Sequence, residues 1–99
     1  MFRHVVMFRW TEGASAVEVD ALAAALRELP SQIPEIRDYR IGPDAGVNEG
    51  NFAFVVVADF ASLDGYLVYR DHPAHQDVIR DHIRPILAER AAVQYDAGA

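Results

Sequence analysis

The 99-residue sequence contains no cysteine. Disulfides, thiol nucleophiles and thiolate metal sites are therefore excluded, and the fold must be stabilised by packing alone. No apolar run reaches the roughly 18 residues of a membrane-spanning helix, and the only early apolar stretch is interrupted by Arg3, His4 and Arg9. We therefore expect a soluble, cytoplasmic protein without a membrane partner.

Positive charge is scarce. Lysine is absent, and nine arginines stand against fifteen acidic residues, for a net charge of -6. A field of this sign repels phosphate backbones, so nucleic acid is not an expected partner. The sequence also lacks G-x-S-x-G, a phosphate-binding loop, a dinucleotide-binding fingerprint and H-E-x-x-H. The usual signatures of hydride transfer, nucleotide binding and zinc proteolysis are thus missing, and we expect no cofactor and no metal.

Apolar residues, in contrast, are abundant. They make up 52% of a chain that is long enough for only one domain, residues 1–99. A domain of this size buries only about two thirds of the surface of its unfolded chain, which leaves a thin margin of stability. Part of the apolar surface is therefore predicted to meet a partner chain.

The spacing of apolar residues and of turn residues predicts the elements along the chain. A capping box formed by Ser15 and Glu18 predicts the start of the first helix, and Pro30 and Pro34 are expected to end it. The predicted strands are 2–10, 36–41, 52–60 and 91–95. The predicted helices run from 15 to the prolines at 30 and 34, over 62–68 and over 73–83. This order predicts an α+β, ferredoxin-like βαββαβ unit with an antiparallel sheet and one open face.

The strand predicted at 52–60 is apolar on both faces, since Phe54 is followed directly by three valines. Helices of the same chain can cover one face. So short a chain has little left to cover the other face, and a second copy of the same sheet would do so. The sequence therefore predicts a homodimer.

Side chains that can carry chemistry are densest around the start of the last helix, at Tyr69, Asp71, His72 and His75. His72 and His75 are three residues apart and, with Asp71, have the residue types and spacing of a possible metal site. However, His72 lies at the helix cap, where a side chain usually bonds to the backbone, and no third ligand follows at helical spacing. We therefore favour the interpretation that His72 helps to terminate the helix.

The remaining candidates are open to two interpretations. His75 lies inside the helix on a mixed face, so it is either structural or a general base or ligand contact. Tyr69 can present its hydroxyl to a cavity or act as an amphipathic filler. His4 alternates onto the aromatic face of the first strand and so enters the interior, as a core residue or as part of a pocket. The expected pocket wall also includes Phe8, Trp10, Leu26 and His72.

Three segments resemble a known family. The opening R-H-V-V-M-F-R-W, the segment I-P-E-I-R-D-Y-R-I-G and above all the box Y-x-x-H-P-A-H are similar to the stress-responsive dimeric α/β-barrel (Dabb) family, over nearly the whole chain. The resemblance implies the ferredoxin-like unit predicted above. It also implies a dimeric barrel in which two sheets pack face to face, which would bury the open face.

The resemblance extends to a reaction, since the family includes polyketide cyclases of the olivetolic acid cyclase type. It implies that His75 removes an acidic proton, that Tyr69 donates a hydrogen bond to the developing oxyanion, and that His4 lines the pocket. The implied activity is that of a cofactor-independent polyketide cyclase or lyase acting on a small hydrophobic or aromatic molecule. Leu26 departs from the pattern, because the cyclase has a pocket tyrosine on the first helix, and this departure puts the same substrate in doubt.

Two other functions are consistent with the resemblance. One is a stress-associated protein that binds a ligand or a partner without catalysis, as expected if the H-P-A-H box serves the fold. The other is a cofactor-free monooxygenase, in which Trp10 and the histidines would shape an aromatic pocket.

Overall fold

The computed structural model describes residues 1–98, in which four strands form one sheet and the helices cover one of its faces. The strands are β1 (Phe2–Trp10), β2 (Ile36–Pro43), β3 (Phe54–Phe60) and β4 (Leu87–Asp96), and the helices are α1 (Ala16–Gln32), α2 (Leu63–Asp71) and α3 (Pro73–Val78). A π-helical turn (Ile79–Ile83) and a 3-10 turn (Arg84–Ile86) follow α3. The sheet has the order β2-β3-β1-β4 with every pair antiparallel, which confirms the predicted ferredoxin-like fold.

Strand β1 lies in the centre of the sheet, and its side chains alternate between the two faces as the sequence predicts. His4, Val6 and Phe8 are buried on the face that meets the helices, whereas their neighbours along the strand are only partly covered. Because alternate residues of a strand point to opposite faces, this alternation defines a helix-covered face and an open face of the whole sheet.

Helix α1 begins as predicted and ends between the two prolines that were expected to end it. The Ser15 hydroxyl accepts a hydrogen bond from the Glu18 backbone, and the Glu18 carboxylate accepts one from the Ser15 backbone, which completes the capping box. Pro30 does not end the helix, contrary to our expectation, because it lies inside the last turns and the chain stays helical to Gln32. Pro30 lacks the N–H that would bond to the carbonyl four residues earlier, but only two helical residues follow it, and the Ile33 N–H still bonds to the Leu29 carbonyl.

Strand β3 begins at Phe54, two residues later than predicted. The segment before it has other partners: the Ala53 N–H donates to the carbonyl of Phe8, and the Ala53 carbonyl accepts from the Asp44 N–H. Phe52 instead packs beneath the guanidinium of Arg9, with 4.1 Å from the guanidinium carbon to the ring centre.

The segment between β3 and β4 is less regular than predicted. Ser62 occupies the cap position of α2, but its side chain makes no capping hydrogen bond. The helix predicted over 73–83 is α-helical only to Val78 and then widens into the π-helical turn. Such wide turns are rare and often lie at functional sites.

Strand β4 is longer than the predicted strand 91–95. It pairs with β1 from Leu87 to Asp96, with one irregularity opposite Arg9 and Trp10. The apolar pattern of this segment is too weak to predict its full length. Hydrogen bonds to β1 extend the strand beyond the predicted residues. Because β4 lies at the edge of the sheet, its helix-facing residues Ala92 and Gln94 remain exposed.

The hydrophobic core lies between the sheet and the helices, where Leu22, Leu26 and Leu29 of α1 pack against Val56 and Phe60. No helix in the described part of the chain covers the other face, where the half-buried valines of β1 and β3 and the exposed Val93 of β4 lie. Within residues 1–98, no helix has the length and apolar character needed to cross a membrane.

Candidate functional site

A cavity of about 320 Å³ lies between β1 and β4 on one side and the helical segments on the other. Its wall is formed by His4, Val6, Phe8, Leu26, Val56, Tyr66, Tyr69, Arg70, His75, Gln76, Ile79, Ile83, Arg84, Leu87 and Arg90. The volume suits a small organic ligand. Most of the wall is apolar or aromatic, and a few polar groups converge on it, as is typical of ligand pockets.

His4 is a buried polar group of this cavity, with only 4% of its surface exposed. Strand pairing places Gln94 directly opposite on β4, and the Gln94 amide nitrogen donates to Nδ1 of His4 over 2.8 Å. Nδ1 therefore accepts, so the ring proton is on Nε2. Burial, assisted by the charge of Arg90, lowers the pKa of His4 from 6.5 to about 4. At neutral pH His4 is an uncharged N–H donor.

His75 has the opposite assignment of its two ring nitrogens. Its Nδ1 lies 3.1 Å from the backbone carbonyl of Arg70, which can only accept, so Nδ1 carries the proton and Nε2 is the basic nitrogen. The ring stacks on Tyr69 with 4.0 Å between ring centres. Burial lowers the pKa of His75 below its usual 6.5, and the charge of Arg90 acts in the same direction. His75 is therefore an uncharged proton acceptor at neutral pH.

The phenol of Tyr69 is buried, and its hydroxyl forms a hydrogen bond with a second phenol. The hydroxyl oxygens of Tyr69 and Tyr39 lie 2.9 Å apart, and either can donate. Burial raises the pKa of Tyr39 to about 12 and that of Tyr69 well above its usual 10, so both phenols keep their protons. If Tyr39 donates, the proton of Tyr69 stays free for a ligand oxygen.

The structure brings together five of the seven side chains that the sequence suggested for the pocket. His4, Phe8, Leu26, Tyr69 and His75 all line the cavity.

Trp10 and His72 do not line it, which corrects the sequence prediction for both. Six residues of strand separate Trp10 from His4, or about 20 Å at 3.3 Å per residue. Trp10 instead stacks on Phe8 and borders α1 at the other end of the sheet. His72 is held by the backbone, because its Nδ1 accepts from the N–H of Ala74 over 3.0 Å, so it caps α3 as the favoured interpretation predicted.

Several residues of the site were missed from the sequence, and four of them contact the histidines or Tyr69 or act on them through charge. Tyr66 lies one helical turn before Tyr69 and rests against the His4 ring, and the spacing of three residues is a signal that could have found it. Gln94 and Arg90 depend on the register between β1 and β4, and Tyr39 depends on a contact between a strand and a distant helix. These three have no signal in the local sequence.

Among residues 1–98, no group of three or more His, Asp or Glu side chains is arranged to hold a metal ion. An uncharged histidine that accepts a proton and a second that donates a hydrogen bond face one cavity, which is a combination suited to moving a proton on a bound molecule.

Comparison with known proteins identifies the family. The sequence pattern of the Stress Responsive A/B Barrel Domain, called Dabb, matches residues 2–97. The chain belongs to the Dabb family. A stress-response A/B barrel domain-containing protein of Arabidopsis thaliana is 27% identical over 77 residues, which cover 75% of this chain and 67% of that protein.

Solved structures of other proteins share the fold of this Dabb chain. A dimeric ferredoxin-like protein of unknown function from Thermobifida fusca is 41% identical, with a TM-score of 0.88 and coverage of 95% of this chain and 88% of that chain. A hydroxynitrile lyase from Passiflora edulis is 20% identical, with a TM-score of 0.83 and coverage of 95% and 90%. At 20% identity, the likeness to the hydroxynitrile lyase shows a shared fold. The Dabb fold thus occurs in a lyase as well as in proteins whose function is unknown.

Proposed function

We propose that this Dabb protein is a cofactor-independent lyase or cyclase in which His75 is the general base. The observation that carries the proposal is the hydrogen bond from Nδ1 of His75 to the Arg70 carbonyl. It fixes the ring orientation and leaves Nε2 as the basic nitrogen of a residue that lines the cavity. A base whose pKa lies below 6.5 is unprotonated at neutral pH, as a general base must be.

The oxyanion that follows proton removal would be met by two donors. His4 offers its Nε2–H, and Tyr69 offers its phenol proton when Tyr39 supplies the hydrogen bond between the two phenols. With a cyanohydrin, His75 would take the hydroxyl proton, the carbon–cyanide bond would break to give an aldehyde, and cyanide would leave and recover the proton. With a β-polyketone, His75 would take a carbon-bound proton, the enolate carbon would attack a second carbonyl carbon, and the resulting alkoxide would recover the proton from His75.

The proposal is tested with two probes, mandelonitrile for cleavage and a linear polyketide thioester for cyclisation. Turnover of at least one probe above the buffer rate is expected, and His75→Gln should lower it by about 10²–10⁴-fold. The rate should rise with pH through an ionisation below 6.5 and stay constant above it, because only uncharged His75 is active.

His72→Gln is the matched control, since His72 lies in the same H-P-A-H box but outside the cavity. It should retain full activity. Buffer rates with both probes, or equal rates for wild type and His75→Gln, would contradict the proposal. Binding of a probe without turnover would indicate a ligand-binding protein instead.

We further propose that the protein is a homodimer joined through the open face of the sheet. The support is an uncovered apolar surface, on which Val93 and Tyr95 are 55% and 46% exposed, together with the dimeric state of the 41% identical Thermobifida fusca protein. Light scattering at micromolar concentration should give twice the chain mass of 11.0 kDa. A mass equal to that of one chain would contradict the proposal.

A further inference from the structure

The charges that line the cavity all have one sign. Three arginines, Arg70, Arg84 and Arg90, form part of its wall, and no aspartate or glutamate does. This is the reverse of the chain as a whole, which has fifteen acidic residues and nine arginines. A cavity with low-dielectric walls and charges of one sign concentrates the field and attracts the opposite charge.

Two of these arginines lack a carboxylate partner. Arg70 is neutralised locally, because its guanidinium lies 2.9 Å from the Asp71 carboxylate. Within residues 1–98, Arg84 and Arg90 form neither an ion pair nor a side-chain hydrogen bond. Glu89, the acidic neighbour of Arg90 in sequence, is 3.0 Å from Arg9 instead.

The position of Arg90 in the sheet relates it to the two histidines. Arg90 pairs with Phe8 across β1 and β4, so it lies on the helix-covered side of the sheet, as His4 does. It is close enough to act on both His4 and His75 through its charge. Since β4 is the edge strand and Arg90 is exposed, Arg90 lies where the cavity opens to solvent.

We propose that the ligand of this cavity is a carboxylate with an apolar body, and that Arg90 and Arg84 bind the carboxylate at the mouth. The inference rests on the proposed function, because it names the substrate class of the same site. A guanidinium matches a carboxylate with two parallel hydrogen bonds. The apolar part of the molecule would then enter the cavity, whose wall includes Phe8, Leu26 and the proposed base His75. The substrate class is therefore an enolisable or cyanohydrin-type acid that carries a free carboxylate.

The test uses matched ligands that differ only in charge, 4-phenylbutyrate and 4-phenylbutyramide, with affinities measured by calorimetry. The carboxylate should bind more tightly than the amide by about tenfold or more, as expected for charge-assisted hydrogen bonds. Arg90→Met and Arg84→Met should each weaken carboxylate binding by about tenfold and leave amide binding unchanged. Raising the salt concentration should weaken carboxylate binding alone.

Arg37→Met is the control, because Arg37 is an exposed residue of β2 outside the cavity and its loss changes the net charge by the same amount. It should bind the carboxylate as the wild type does. Equal binding of acid and amide, or unchanged acid binding by Arg90→Met, would overturn the assignment of an anion site while leaving the role of His75 to its own activity test. Failure of both ligands to bind at millimolar concentration would also overturn it.

Discussion

Two neighbouring residues of β1, Arg3 and His4, point to opposite faces of the same sheet and meet opposite surroundings. On the open face, the Arg3 guanidinium donates two hydrogen bonds to the Asp59 carboxylate over 2.7 and 2.9 Å. On the helix-covered face, His4 bonds to Gln94 through one nitrogen and presents the other side of its ring to a cavity. The charged groups of the open face are paired, as packing requires, whereas the polar groups of the other face keep capacity to bind a ligand.

The two faces also titrate differently. Arg3 lowers the pKa of Asp59 below its usual 3.8, so that this carboxylate is charged throughout the physiological range. Burial lowers the pKa of His4 to about 4, so that this imidazole is uncharged in the same range. A charged pair stabilises the open face, whereas uncharged imidazoles line the cavity on the other face. Each arrangement is lost in a different range of pH, when Asp59 or His4 takes up a proton.

A charge placed on the open face should have the largest effect. Val93→Asp should raise the dissociation constant of the proposed dimer by about 100-fold or more, because the symmetric contact would bury an unpaired carboxylate from each subunit. The monomer should remain folded, since Val93 is 55% exposed in the single chain. Sedimentation across a dilution series measures the change.

Ala92→Asp is the matched control, because Ala92 is the adjacent residue on β4, is exposed and points to the helix-covered face. It should dimerise as the wild type does. If the two variants dimerise equally well, the open face is not the interface.

The sequence predicts those features of the two faces that depend on the spacing of neighbouring residues. Alternation in β1 placed His4, Val6 and Phe8 on one face, and the capping box of Ser15 located the start of α1. Both patterns are short-range, because neighbouring side chains on a strand or helix fix them. The family resemblance added the expectation that His4, Tyr69 and His75 belong together, and all three line one cavity.

Features that depend on distant contacts could not be predicted in this way. Gln94 meets His4 across ninety residues of chain, and the register of an edge strand decides that contact. The hydroxyl pair of Tyr39 and Tyr69 likewise joins β2 to α2. Trp10 was misplaced for a related reason, since membership of the correct face does not give the distance along the strand.

The titration of His4 gives an expected effect of similar size. Unfolded histidine takes up a proton near pH 6.5, whereas folded His4 does so only near pH 4, so the unfolded chain binds more protons between these values. The free energy of unfolding should therefore fall by about 3 kcal/mol as the pH drops from 6.5 to 4, and then level off. Urea unfolding at constant protein concentration measures this loss.

His4→Gln removes the titrating group and should flatten most of that slope, with the remainder due to His75, whose pKa is also lowered by burial. A profile equally steep in wild type and variant would show that His4 does not control the acid response of the helix-covered face.

A smaller loss is expected from the ion pair of the open face. At pH 7, Asp59→Asn should lower the free energy of unfolding, measured in urea, by less than the loss that protonation of His4 causes in acid. The reason is that more than a third of the Arg3 side chain is exposed to solvent, which weakens the ion pair. The difference from wild type should persist above pH 3.8 and disappear as the pH falls through the lowered pKa of Asp59, because the protonated wild-type carboxyl no longer carries the charge. A difference that disappears between pH 6.5 and 4 instead would contradict this separation of the two faces.

The smallest effect concerns the two phenols behind the cavity. Tyr39→Phe leaves the buried hydroxyl of Tyr69 without its partner and should cost about 1 kcal/mol of unfolding free energy. Replacing both residues by Phe removes donor and acceptor together, so the double variant should be no less stable than Tyr39→Phe. Urea unfolding of the two single variants and the double variant yields the coupling energy, and additive losses would contradict the hydrogen bond. In the catalytic assay Tyr39→Phe should lower the rate less than Tyr69→Phe, because Tyr39 acts on the ligand only through the hydroxyl of Tyr69.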